Sequence, residues 1–369
     1  MNFSNIMIIF GTRPEAIKVA PVIKELEKRD GINVIKVATS QHKEMLRQVL
    51  ELFDIVPDYD LNIMKANQTL SHIVEESMAG FQKIFAQTKP DLILVQGDTT
   101  SAFTGALAGF YAGIPVGHIE AGLRTWNRFS PFPEEANRQM ISRIAQYHFA
   151  PTDGNKQNLL DERIDSNSIL VTGNTVIDAL FYILNHFQSH DFASRFCPPG
   201  QKVILVTAHR RENFGQPIRN ICSALLEITR LHKDVEIVYP VHLNTNIKLI
   251  VNSMLSNKKR IHLIEPVNYL ELCSLMKKSH LVLTDSGGIQ EEAPALGKPV
   301  VVLRTETERP EAVEAGTVLI AGNETASIVK IADELLSDEK KYQEMARAIN
   351  PYGDGKAAIR IADFLTLLY

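Results

Sequence analysis

The stretch LVLTDSGGIQEEAPALGKPVVVL, Leu281 to Leu303, joins two apolar runs through Ser286-Gly287-Gly288 and a short helical pattern. The first N–H groups of a helix lack partners, and its dipole favours negative charge. Glycines there let a phosphate reach those N–H groups, and Ser286 adds a hydroxyl. The same residues also read as a Ser-capped helix with glycines for tight packing. Three cations placed near other strand ends, Arg13, Lys18 and Arg309, favour the phosphate reading, although each alone is an ordinary surface charge. Glu292 falls one turn into the helix, where a carboxylate can accept hydrogen bonds from a ribose diol. Its alternative, an acid that stabilises the helix dipole, suits Glu291 better. The second half of the chain thus reads as a nucleoside-diphosphate binder.

The first half holds the acids: Asp98, Glu120 and the pair Glu134-Glu135. Each has a plainer reading. Asp98 precedes Thr99-Thr100 and can be a helix cap. Glu120 follows an apolar run, with Arg124 near enough in sequence to neutralise it. Glu134 follows Pro133 and can be a first-turn helix acid. Together with His209, three such acids have the composition of a general acid/base site. No G-x-x-x-x-G-K-[ST] or strand-following G-x-G-x-x-G occurs, so neither a P-loop nor a tightly bound nicotinamide is indicated. His42, His118 and His242 have no H-E-x-x-H spacing, and no metal is expected.

Positioning these groups falls to alternating β-rich and helical runs. Strands are expected at Ile6–Phe10, Asn33–Ala38, Leu92–Gln96, Val116–Ile119, His148–Ala150 and Ile169–Val171. A second series follows at Lys202–Val206, Glu236–Val241, Ile261–Ile264, Leu281–Thr284, Val300–Leu303 and Val318–Ala321. Helical patterns include Ala16–Lys28 and Glu134–Gln146, the latter with Met140, Ile141 and Ile144 on one face. Thr99–Gly117 reads as a buried helix and a strand, because glycines and Pro115 interrupt it. The clusters GTRPEAIK (Gly11–Lys18), GDTTSAF (Gly97–Phe103), HIEAGLRT (His118–Thr125), TAHRRENFG (Thr207–Gly215) and DSGG after Leu283 each follow a strand. The expectation is an α/β chain of two doubly wound, Rossmann-like domains with parallel sheets, facing one central cleft. Residues 1–185 form the first domain, 186–200 the linker around Pro198-Pro199-Gly200, and 201–356 the second. A length of 369 residues calls for more than one core, and 45% hydrophobic with 22% charged residues suits a soluble protein. A net charge of −4 gives no sign of nucleic-acid binding. Cys197, Cys222 and Cys273 lack pairing or metal spacing, and the chain enters its first strand without a signal-peptide layout, so a cytoplasmic protein with no membrane segment is expected.

In these motifs the chain closely resembles the non-hydrolysing UDP-N-acetylglucosamine 2-epimerases. The resemblance covers almost the whole length and rests on GTRPEAIK, QGDTTSAF, GHIEAGLRT, PFPEEANR, VTGNTVIDAL, TAHRRENFG, YPVHLN, TDSGGIQEEAPALGKPVVVLR and TERPEAVEAGT, in one order. It implies the glycosyltransferase-B architecture, a C-terminal helix near 357–369 that packs back on the first domain, and a homodimer. By resemblance Asp98, Glu120, Glu134 and His209 match the catalytic group, while Arg13, Lys18, Ser286, Gly287, Gly288, Glu292 and Arg309 match the UDP-binding group. Gln41, His42, Gln68, Arg210 and His242 match the site of a second UDP-GlcNAc that acts as an activator. Val267 replaces a Gln common in the family, Leu272 a Phe, and Asn67 an Arg of some regulated members, while HLNTNI replaces HLNPN.

The implied reaction needs no cofactor. The hydrogen on carbon 2 of the sugar is barely acidic. Expelling UDP from carbon 1 while a base removes that proton gives a 2-acetamidoglucal. UDP then re-adds, and a proton reaches the opposite face, giving UDP-ManNAc for surface polysaccharides. A glycosyltransferase of the same architecture, a hydrolysing epimerase and a silent nucleotide-sugar sensor are the rival readings.

Overall fold

The computed structural model describes residues 3–41, 43–65, 67–189 and 191–367. The chain divides into two compact units, Met1–Tyr182 with Tyr352–Tyr369, and Ile183–Pro351. The strands of the first unit are β1 (Asn5–Phe10), β2 (Asn33–Ala38), β3 (Tyr59–Asp60), β4 (Leu92–Gln96), β5 (Val116–Ile119), β6 (Tyr147–Ala150) and β7 (Ile169–Val171). They form a sheet in the order β3-β2-β1-β4-β5-β6-β7 with every pairing parallel. The second unit contributes β8 (Lys202–Thr207), β9 (Val235–Pro240), β10 (Ile261–Ile264), β11 (Leu281–Thr284), β12 (Val300–Val302) and β13 (Val318–Ile320). Their order is β10-β9-β8-β11-β12-β13, again parallel throughout. Continuous apolar runs such as LILVQ and LVLT are buried along their whole length, as strands covered by helices on both faces must be.

In both sheets the chain turns back at one place: between β1 and β4, and between β8 and β11. The loops that leave these strands part there, which opens a crevice at the carboxyl ends. Those loops are Gly11–Thr12 and Gly97–Thr99 in the first unit, and Ala208–Arg210 and Asp285–Ser286 in the second.

Four details differ from the sequence reading. The two-residue edge strand β3 had no signal of its own. Helix Glu134–Ile144 buries Ile141 and packs Ile144 on the core as expected, but Met140 is exposed, and Glu135, Asn137, Arg138 and Ser142 share the inward face. Helix Arg13–Leu26 begins at Arg13 because Thr12 and Glu15 form a capping box. Ala193, within the segment expected as a linker, is buried, and its N–H donates to Ser274 Oγ at 3.2 Å in the second unit.

The C-terminal helix Ala357–Leu367 packs on helix Arg13–Leu26 in the first unit. Its first N–H groups are held by Asp178, whose oxygens accept from Ala357 at 3.2 Å and Ala358 at 2.8 Å. Phe364 meets the rings of Tyr147 and Phe149 edge-on at 5.8 and 5.7 Å. Among the described residues no helix is long and apolar enough to cross a membrane.

Candidate active site

In the first unit the acids stand at the carboxyl end of the sheet, each held by a different partner. Glu120 follows β5 with a positive φ of 65°, a conformation costly for a side-chain-bearing residue. Its carboxylate accepts from Lys18 Nζ at 2.6 Å to each oxygen, from Asn174 Nδ2 at 3.1 Å, and from Gln96 Nε2. Such donors offset the burial of the carboxylate and fix its direction. Arg124, the neighbour in sequence, turns instead to Glu162 at 2.7 Å and to Ser142. Asp98 follows β4 and pairs with Arg138 Nη2, while its backbone carbonyl accepts from Asn137 Nδ2 at 2.9 Å. Arg138 also meets Glu135 at 3.2 Å.

The pair Glu134-Glu135 is divided by burial. Glu135 is fully buried and accepts the N–H groups of Thr125 and Trp126, so it braces the loop. Glu134, first in its helix, is only half-buried. The strand-end loops are themselves fixed. Glu15 accepts from the Gly11 and Thr12 N–H groups at 3.0 and 2.8 Å and from Thr99 Oγ1 at 2.6 Å. Its burial pushes its carboxyl above the usual range against those bonds. His118 is buried, and its Nε2 donates to the Gly97 carbonyl at 2.8 Å. Burial lowers its pKa to about 3, so it is a neutral strut, not a charge at the site.

In the second unit the groups suit an anion. Helix Gly287–Ala295 starts at the end of β11 with no side-chain cap from Ser286. A Cβ on Gly287 would lie 3.4 Å from Arg309 Nη2 and 3.8 Å from Arg210 Nη2, so two guanidinium groups flank that helix start. Arg309 is fixed by Glu291, 2.5 Å from its Nε. Tyr269 donates its hydroxyl to Glu292 Oε1 at 2.6 Å and sets that carboxylate one turn into the helix. The loop after β8 is tied to the loop after β11 by Asp285, which accepts the N–H groups of His209 and Arg210 at 2.7 and 2.8 Å. The His209 ring stacks on His242 with centroids 5.6 Å apart. Burial, ahead of all other causes, lowers the His209 pKa below that of a free imidazole.

Of the sequence-predicted residues, the first unit thus holds Arg13, Lys18, Asp98, Glu120 and Glu134, and the second holds His209, Ser286, Gly287, Gly288, Glu292 and Arg309. The Lys18 ammonium lies on Glu120. Gln41 and Gln68 meet, Gln68 Nε2 donating to the Gln41 carbonyl at 3.2 Å; His242 and Arg210 stand beside His209 and Gly287, and His42 lies outside the described residues. The half-buried Val267 and Leu272 border Asn268, which caps helix Tyr269–Lys278. Sequence reasoning missed Gln96, Asn174, Arg138, Tyr269 and Asp285. Asp285, at a strand end before Ser286, and Gln96, last in its strand, had a positional signal; the others did not. Among the described residues no cluster of His, Cys, Asp and Glu could hold a metal.

Two doubly wound domains, each with its polar side chains gathered at the switch point of its sheet, define an α/β protein of the glycosyltransferase-B type. A family model described as UDP-N-acetylglucosamine 2-epimerase matches residues 24–366. The UDP-N-acetylglucosamine 2-epimerase of Escherichia coli strain K12 is 52% identical over 367 residues, 98% of each chain. That of Bacillus subtilis strain 168 is 50% identical over 364 residues, 99% of this chain and 95% of the relative. The crystal structure of UDP-GlcNAc 2-epimerase from Neisseria meningitidis bound to UDP-GlcNAc aligns with a TM-score of 0.91 at 50% identity, over 98% of this chain and 99% of that one. The chain belongs to the UDP-N-acetylglucosamine 2-epimerase family and is an isomerase of nucleotide sugars.

Proposed function

We propose that the chain interconverts UDP-GlcNAc and UDP-ManNAc without hydrolysis, by eliminating UDP to a 2-acetamidoglucal and adding it back. One observation carries this reading: ionisable acids occupy the switch point of one sheet, and a helix start flanked by two guanidinium groups occupies that of the other. Elimination needs both kinds of group on one substrate molecule. A base removes the proton from carbon 2, and that bonding pair becomes the double bond between carbons 1 and 2. The pair of the carbon 1–oxygen bond leaves with the β-phosphate. The N–H groups of Gly287 and Gly288 with Arg309 and Arg13 stabilise the charge that develops on the diphosphate, usually the largest single catalytic contribution. Asp98 and Glu120 handle the carbon-2 proton on opposite faces of the sugar, Glu134 positions or shares that role, and His209 assists the diphosphate. Carboxylates beside carbon 1 also favour the oxocarbenium character of bond breaking.

Glu292 takes the ribose diol, with Tyr269 fixing the carboxylate. Gln41, Gln68, Arg210 and His242 belong to a second UDP-GlcNAc site of an activator, and the product supplies ManNAc units to surface polysaccharides. The test is NMR of UDP-GlcNAc with pure protein in deuterium oxide and no acceptor. UDP-ManNAc carrying deuterium at carbon 2 is expected. Free N-acetylmannosamine with UDP would point to a hydrolysing enzyme. No conversion without an acceptor sugar would point to a glycosyltransferase, and binding without turnover to a sensor.

A further inference from the structure

We propose that Asp285 is a positioning residue for His209: it holds a proton on Nδ1 of the imidazole, and it lets the ring take a second proton on Nε2 when a diphosphate arrives. The proposal rests on the reading of His209 as a diphosphate contact and adds to it a buried partner and a proton.

Asp285 is fully buried at the end of β11, immediately before Ser286. Its two oxygens have different tasks. Oδ2 accepts three N–H bonds, from the His209 backbone at 2.7 Å, the Arg210 backbone at 2.8 Å and Asn213 Nδ2 at 2.9 Å. Oδ1 makes no hydrogen bond to any described group and lies 3.3 Å from His209 Nδ1. A buried carboxylate oxygen without a donor is costly, and a small turn of the imidazole supplies one. A carboxylate can only accept, so it selects the tautomer with the proton on Nδ1. The lone pair then sits on Nε2, across the ring from Asp285.

The charges facing His209 decide what happens next. Asp285 favours the imidazolium, while burial, the parallel ring of His242 and the Arg210 guanidinium favour the neutral ring. Without ligand the neutral side prevails. A diphosphate at the start of helix Gly287–Ala295 adds negative charge on the Nε2 side, so the balance reverses and a solvent proton binds Nε2. The imidazolium then donates to both anions at once, Nδ1–H to Asp285 and Nε2–H to the phosphate. Such a bond strengthens as charge builds on the leaving diphosphate.

Asp285→Asn separates this role from loop bracing. The amide oxygen can still accept the three N–H bonds that Oδ2 accepts, which turns the amide NH2 toward His209 and demands the opposite tautomer. The experiment is 15N NMR of histidine-labelled protein at neutral pH, with and without UDP, the His209 signals assigned through His209→Asn. Expected are a neutral ring protonated at Nδ1 in the free wild type and a doubly protonated ring with UDP. In Asp285→Asn the ring stays neutral with UDP, and kcat for epimerisation falls about 100-fold, the scale for losing an outer partner that orients a working imidazole. A free wild-type ring protonated at Nε2 overturns the proposal, and this needs no variant to fold. Equal protonation of wild type and Asp285→Asn with UDP overturns it as well. A His209 ring that ignores UDP overturns the proton uptake and the diphosphate contact together, while the epimerase reading is judged separately by its product.

Discussion

Lys18 Nζ stands 2.6 Å from both carboxylate oxygens of Glu120, across 102 residues of sequence. One end of this pair is on the helix that leaves β1, the other in the turn after β5, so the contact links two loops at one sheet's carboxyl edge. Both side chains are largely out of water, at 14% and 8% exposure, which makes the loss of either partner expensive. In Lys18→Met the carboxylate keeps Gln96 and Asn174 but loses its cation. Stability should fall by about 3 kcal/mol, the scale for breaking a buried pair from one side. The kcat for epimerisation should fall by about 100-fold, as for a misplaced general base. Urea unfolding and initial rates check both. A variant as stable and as fast as wild type would leave the pair without a role.

Two glycines at strand ends should respond differently to the same added methyl. A Cβ on Gly11 would lie 2.1 Å from Thr39 Oγ1 and 2.7 Å from Ser101 Oγ, two hydroxyls already bonded to each other at 2.8 Å. Gly11→Ala should therefore destabilise the fold by about 1–3 kcal/mol, the cost of overpacking. A Cβ on Gly287 would be 3.4 Å from the Arg309 guanidinium, which can give way. Gly287→Ala should keep its stability within about 1 kcal/mol. It should weaken UDP binding about tenfold, the equivalent of one displaced hydrogen bond. Thermal unfolding and UDP titration calorimetry separate the two effects.

The strand positions were legible because a parallel strand covered on both faces must be a short apolar, β-branched run bounded by turn residues. The candidate site residues Asp98, Glu120, His209 and Ser286 follow those runs, so their places in the chain were legible too. Their partners were not. Arg124 is four residues from Glu120 but turns to Glu162, and the cation that Glu120 does find is on a helix of another crossover. Asp98 likewise meets Arg138, 40 residues on. Helix Glu134–Ile144 misled the apolar-stripe argument at Met140 because its inward face carries Glu135 and Arg138, which brace the site instead of filling a core. Glu15 was readable from Thr12-Arg13-Pro14-Glu15 as a capping box, yet a motif rich in cations drew attention to Arg13 and Lys18.

Asp178 should give the fold a measurable pH dependence. Burial pushes its carboxyl up to about 6, against the two N–H bonds that it accepts from the start of the C-terminal helix. The folded chain therefore holds this proton more tightly than the unfolded chain. The stability it contributes is complete below about pH 4, near the unfolded value, and fades as pH rises through the folded one. Across that window wild type should lose up to roughly 3 kcal/mol relative to Asp178→Asn, which does not titrate. Paired urea titrations at several pH values check the difference. A constant gap between the two proteins would show that Asp178 does not titrate there.

The central claim is that the bond between carbon 1 and the diphosphate breaks and re-forms while UDP remains bound. UDP-GlcNAc carrying 18O in that bridging position tests it most directly. If the account is right, phosphorus NMR will find the label spread into the non-bridging oxygens of the β-phosphate in recovered nucleotide sugar, without free UDP accumulating at a matching rate. If carbon 2 inverts in deuterium oxide with its original hydrogen retained and the label entirely in the bridge, elimination with re-addition is wrong.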